Sequence, residues 1–271
     1  MHGRKAVVGK LAVEPNAEPI WQLAQWHSRF TIAGAEPGHP CPGTIRYSNS
    51  AKTVAVGDSN TANADLTLAI DSIREYNGRL RKEGEPWPHL LVEQAIDGCP
   101  TLAELARLDF HIEARLRYSV RIEPAGYSTG LHCAQVPFVL TVANVNPQSP
   151  GRGDFLWFVV PIYDDRRPHP APHIAEDTAD PSAKLIYNPG ALAYTRESLH
   201  SGRWLTIDAD LLPHIHKALE TAWSRGYLPD SREPADYRIT STNLGWEAPG
   251  LNQSAIQVRN LSLLAAMNDA L

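Results

Sequence analysis

Between Leu108 and Val120 the chain reads Leu-Asp-Phe-His-Ile-Glu-Ala-Arg-Leu-Arg-Tyr-Ser-Val, and this stretch constrains the fold more than any other. Phe110, Ile112, Ala114, Leu116, Tyr118 and Val120 are apolar, while Asp109, His111, Glu113, Arg115 and Arg117 between them are all ionisable. A strict period of two is the pattern of a strand with one face in a core. Solvent-facing strand positions are commonly Thr, Ser or Lys. A row of acid, imidazole, acid and two guanidiniums is either a salt-bridged solvated face or the floor of a polar binding groove.

The rest of the chain favours strands too. Its 22 Pro and 18 Gly are dispersed, and the apolar runs between them are short. Such punctuation suits a sandwich or barrel better than a doubly wound fold. Apolar residues make up 43% of the 271 positions, enough for a sizeable core in one domain over residues 1–271. The alternating or apolar stretches are Trp21–Ile32, Thr44–Val56, Ala64–Tyr76, Gly84–Ile96, Gly130–Asn144, Asp154–Asp164, Tyr237–Glu247 and Ala255–Leu264, with a weak edge strand at Lys5–Val13. Asn77-Gly78 suits a tight hairpin turn. One helix is expected over about 208–226, capped by Thr206 or Asp208, with Leu211, Leu212, Ile215, Leu219 and Ala222 on one face and Gly226 closing it.

The net charge of −5 gives no electrostatic reason for a nucleic-acid or anionic-membrane partner. No apolar run reaches the length of a membrane span, and the first residues lack the apolar core of a secretion signal. The expectation is a cytoplasmic protein, or an extracellular or periplasmic one if a leader has been trimmed away. Cys41, Cys99 and Cys133 match no zinc spacing, and their odd number leaves one unpaired in any disulfide scheme.

The Asp109, His111, Glu113 row resembles the arrangement in laminarinase- and lichenase-type glycosidases, which have the concanavalin A-like jelly-roll fold. That resemblance implies a two-sheet antiparallel sandwich acting on a poly- or oligosaccharide, with the outer carboxylates as nucleophile and general acid. In this chain the first acid is Asp and the centre is His. Glu93, on another strand, is an alternative carboxylate partner. A jelly-roll polysaccharide lyase is a second reading: elimination from a uronate needs a carboxylate-neutralising group and a His or Tyr base. His111, His132, Tyr163, Gln135 and Arg115 are of those types, with Arg117 as a further substrate contact. Trp87, Trp157 and Trp246 could stack on sugar rings, although tryptophans in sandwiches also serve as core.

Other signals point elsewhere. Gly57-Asp58-Ser59-Asn60 after an apolar run resembles the first block of Gly-Asp-Ser esterases, with Ser59 as nucleophile, but no Asp-x-x-His follows and a plain turn explains it. Asp164, Asp165, His169, His173, Glu176, Asp177 and Asp180 crowd a long loop that would suit a structural Ca²⁺, or be merely solvated. His214 and His216, two apart on a helix, cannot share a ligand. The expectation is therefore an all-β jelly-roll sandwich that binds carbohydrate, as glycoside hydrolase, polysaccharide lyase or non-catalytic glycan-binding module, with no resident cofactor.

Overall fold

The computed structural model describes residues 6–11, 21–57, 65–177 and 183–268. Ser59 and its neighbours Asp58 and Asn60, like Asp180, lie outside them.

The strands are β1 (Ala6–Lys10), β2 (Gln22–Gln25), β3 (Ile45–Ser48), β4 (Lys52–Val56), β5 (Leu66–Asp71), β6 (His89–Ala95), β7 (Leu105–Arg121), β8 (Gln135–Asn144), β9 (Phe155–Asp164), β10 (His173–Asp177), β11 (Lys184–Asn188), β12 (Leu205–Asp210), β13 (Tyr237–Glu247) and β14 (Asn252–Met267). They form an eight-stranded sheet, in the order β1-β2-β6-β13-β8-β9-β11-β10, and a six-stranded one, in the order β12-β7-β14-β5-β4-β3. All pairings are antiparallel except β9 with β11. This is the two-sheet jelly-roll-type sandwich that the alternation implied.

The core lies between the sheets. From the smaller sheet come Phe110, Ile112, Leu68 and Ile256; from the larger, Phe138, Leu140, Phe158, Leu244 and Trp246. Phe110 and Phe138 meet across the interface with ring centroids 4.7 Å apart. Trp246 is fully buried, and its indole N–H donates to the Leu68 carbonyl 2.9 Å away, so a central strand of one sheet is bonded to a strand of the other. Trp246 is thus a core residue and not a sugar platform.

Helix α2 spans Leu212–Ser224, shorter than the 208–226 expected. Thr206, Asp208 and Asp210 belong instead to β12, which pairs with β7, and the Asp210 carboxylate accepts from the Leu212 amide. Leu212, Ile215, Ala218, Leu219 and Ala222 bury one face of α2 against β7 and β9. Asn77 and Gly78 take left-handed conformations as expected of Asn-Gly, but they follow a single helical turn, α1 (Ser72–Glu75), rather than joining two strands.

Three register shifts interrupt the β7–β14 pairing, the last between Ala266 and Met267 near the end of β14. Leu116 pairs with Ile256 and Tyr118 with Ala255, so Arg117 is the extra residue and the alternation of β7 reverses beyond it. Tyr118 and Val120, expected in the core, are therefore 49% and 54% exposed, while Ser119 turns inward to Ser254. The second bulge, on β14 between Arg259 and Ser262, contains Asn260 with φ 55°.

Gly245 has no room for a side chain: a Cβ there would stand 2.1 Å from the Leu90 carbonyl oxygen. Ile112→Ala should cost about 2–5 kcal/mol through the cavity it leaves. Gly245→Ala should cost more than an exposed Gly→Ala exchange, which is worth about 1 kcal/mol or less. Chemical denaturation of the two variants against the parent checks both values.

Candidate functional site

The Asp109, His111, Glu113, Arg115 row does lie on one face, the outer face of the six-stranded sheet. Asp109 pairs with Arg107, and both are exposed. His111 Nδ1 is 2.5 Å from Asp208, which sits opposite it on β12. Glu113 accepts from Asn260 at 2.6 Å and from two nitrogens of Arg259 at 2.8 and 2.7 Å. The Asn260 and Arg259 hydrogen bonds hold its carboxyl below the usual carboxylate range. Glu113 is a fixed anion with no proton to offer a leaving group.

Glu93 is on β6, and so on the other sheet. Leu90 and Val92 point into the core, and Glu93 faces out on the opposite side of the sandwich from Glu113. The two cannot act in one groove. His132 is not on a strand at all: its Nδ1 accepts from the Ser128 amide at 3.0 Å and its Nε2–H donates to the Arg81 carbonyl at 3.0 Å. It latches a loop. Tyr163 is 4% exposed, lies edge-on to Trp246, and burial pushes its phenol up to about 12, which disqualifies it as a base near neutral pH. The five residues suited to lyase chemistry are therefore scattered over two faces and the interior.

The outer face of the eight-stranded sheet gathers the remaining candidates. Trp246 points inward, so Glu247 points outward on β13. Its register partners are His89 on β6 and Gln135 on β8. Gln135 Nε2 donates to Glu247 Oε2 at 2.8 Å, and His89 Nε2 is 3.9 Å from Oε1. His89 Nδ1 lies 2.9 Å from the Trp87 carbonyl, which can only accept, so the proton is on Nδ1 and the Nε2 lone pair faces Glu247. Trp87 stacks on the His89 ring at 5.7 Å and Trp26 meets it edge-on at 4.9 Å.

These surroundings tune both groups. Burial raises the Glu247 carboxyl above the ordinary range, although hydrogen bonding from Gln135 and a weaker polar contact from Trp87 pull the other way. Glu247 still has 22% of its side chain exposed, so the carboxyl remains reachable. Burial lowers His89 to about 3, with His27 adding to the fall, so the imidazole is neutral at neutral pH. A carboxyl with a raised pKa beside an unprotonated imidazole and two indoles is a catalytic-type environment.

Val139, Thr141 and Val159, which point to this outer face, are each less than a tenth exposed. β10, which carries Asp177, is four places from β13, and the registers set Asp177 level with Phe155, nine residues along the strand from Asp164 and the row of Glu247. On this side Trp157 donates to Asp177 at 3.3 Å, and Glu93 lies beside Asn243, with side-chain-free Gly245 between that row and Glu247. Glu93, Gln135, Trp87 and Trp157 thus lie toward the same outer face. Glu247, His89 and Trp26 were not singled out from sequence; outward alternation from Trp246 and the Trp-Pro-His run were the available signals.

The acidic loop disperses. Asp164 pairs with Arg166, Asp165 accepts from Asn252, His169 is 3.1 Å from the Arg196 carbonyl, and His173, Glu176 and Asp177 lie along β10. Among the described residues no three His, Cys, Asp or Glu side chains converge as metal ligands, and no helix is long and apolar enough to cross a membrane.

No protein-family profile and no curated protein matches the chain. Solved structures similar to it include a thermostable cellulase derived from Cel12A of Rhodothermus marinus, at 12% identity over 86% of this chain and 96% of that one, TM-score 0.44. A family 11 xylanase from Neocallimastix patriciarum is 8% identical over 97% and 100%, TM-score 0.44. A family 12 xyloglucanase from Bacillus licheniformis is 8% identical over 97% and 100%, TM-score 0.46. The likeness is one of fold.

His89 gives a pH signature. Because its folded pKa lies below the ordinary 6.5, its contribution to stability is present above that pH and is lost as pH falls toward 3. His89→Gln should flatten this acid limb. Denaturant midpoints at pH 7 and pH 4 should differ less in the variant than in the parent.

Proposed function

We propose that the chain is a glycan-acting protein, a glycoside hydrolase whose site is the groove on the eight-stranded sheet. The observation that carries this reading is Glu247: a reachable carboxyl with a raised pKa, oriented by Gln135 and walled by Trp87 and Trp26. Indole faces pack against sugar C–H groups, and a carboxyl whose pKa is raised is the type that can protonate a glycosidic oxygen.

The neighbours of Glu247 bear on the stereochemistry. Retention requires a second carboxyl about 5–5.5 Å from the acid. The position directly opposite Glu247 on β8 holds Gln135, an amide that cannot serve as nucleophile. Glu93 is displaced along the strand by four residues, about 13 Å. These neighbours disfavour a double displacement with retention.

The same Gln135 favours a second reading, a groove that binds glycan without cleaving it. The test incubates the protein with a soluble neutral β-glucan and with a uronate polymer, reading reducing ends, anomeric configuration by NMR, and ultraviolet absorbance. Reducing ends, their release lowered about 10²–10⁴-fold in Glu247→Gln, are the expected result. Binding without cleavage, abolished by Trp87→Ala, would establish the binding module. An unsaturated, ultraviolet-absorbing product would replace the hydrolase with a lyase.

A further inference from the structure

The outer face of the six-stranded sheet, which takes no part in the groove, carries its own constellation. Arg115 and Arg117 on β7 both donate to Gln257 Oε1, at 2.7 and 3.3 Å. Arg115 and Arg259 both lie over the Trp204 ring, at 4.9 and 4.3 Å from its centroid. Gln257 itself is 3% exposed, so the amide that gathers the guanidiniums is fixed in the sheet.

The charges do not cancel. Glu113 is the carboxylate in this patch, and Arg259 and Asn260 occupy it. Among the described residues neither Arg115 nor Arg117 makes an ion pair, and Arg115 Nε is buried with no hydrogen-bond partner. Burial and the neighbouring charges of Arg117 and Arg259 pull the Arg115 guanidinium down from its usual value, the mark of crowded cations.

The backbone is shaped to hold this crowd. The bulge at Arg117 keeps Arg115 and Arg117 on one face on either side of Leu116, and the bulge containing Asn260 brings Arg259 and Asn260 together onto Glu113. Bulges re-aim side chains and are concentrated beside functional sites. A planar guanidinium fork matches a carboxylate or sulfate in bidentate fashion.

We propose that Arg115, Arg117 and Arg259, arrayed about Trp204 and Gln257, form a second site that binds the oxyanion groups of an acidic polysaccharide on the face opposite the groove. The polysaccharide, as carrier of the anion, rests on the glycan reading above; the anion site itself does not.

The test titrates the whole protein by calorimetry with polygalacturonate, for carboxylates, and dextran sulfate, for sulfates. Neutral dextran, poly-glutamate and duplex DNA are controls, all at fixed ionic strength. One or both acidic polysaccharides should bind with salt-dependent affinity, weakened about tenfold or more in Arg115→Gln/Arg117→Gln. Arg117→Gln alone, at an exposed position, should weaken binding with an unchanged thermal midpoint, which separates loss of the site from loss of the fold. Glu247→Gln should bind acidic polysaccharide as the parent does, so failure of the groove reading leaves this result intact. The proposal is overturned if neither acidic polysaccharide binds, if binding survives the double substitution, or if poly-glutamate or DNA binds as tightly.

Discussion

The indole of Trp246 fixes what the rest of the molecule can present. Its N–H is satisfied through the core by the Leu68 carbonyl, and its ring fills space between the sheets that no rotation of β13 could leave empty. A strand whose residue 246 must point in has a residue 247 that must point out, because the side-chain period is two. The direction of Glu247 is therefore a consequence of core packing. Gly245 enforces the same register from the other side, since the approach of Leu90 tolerates no Cβ there.

The groove also depends on a roof that the sheet does not supply. Trp26 and His27 follow β2 in a loop held by buried polar contacts. Gln25 accepts from the Ile32 amide at 2.8 Å and the Thr31 hydroxyl at 3.2 Å. Lys52, paired with buried Glu75, donates to Ser28 Oγ at 2.7 Å and to the Phe30 carbonyl at 3.0 Å. Replacing one member of such a pair leaves a buried charge uncompensated, which typically costs about 3–5 kcal/mol. The roof over His89, and hence the low polarity that raises the Glu247 pKa, rests on interactions outside the site.

The fold was legible because alternation reports burial directly. Residues 108–114 showed which side chains enter the core, and α2 showed its apolar stripe; 154–164 is apolar on both faces and marked a strand without saying which side faces in. The short strands β10, β11 and β12 were not legible: five or six residues with mixed polarity take strand form only because a long neighbour offers an edge. The site was half legible. Glu93, Gln135, Trp87 and Trp157 could be named from residue type, but sheet membership depends on topology. No period in the sequence says that Glu93 and Glu113, twenty residues apart with the same alternation, end on opposite outer faces. Bulges are equally silent in sequence, and one residue inserted at Arg117 turned Tyr118 and Val120 out of the core.

The two outer faces have opposite electrostatic characters, and the cause is the same in both: which groups the sheet leaves compensated. On the larger sheet, aromatic rings displace water from Glu247 and His89, which raises the carboxyl pKa and lowers the imidazole pKa. On the smaller sheet the guanidiniums cannot discard their charge, so Arg115, Arg117 and Arg259 spread it over Gln257, Trp204 and one carboxylate. A titratable pair beside aromatic rings can exchange a proton with a bound molecule. A set of permanent cations can only attract and orient one. That difference is why we propose proton chemistry for the face with Glu247 and anion binding for the row on β7.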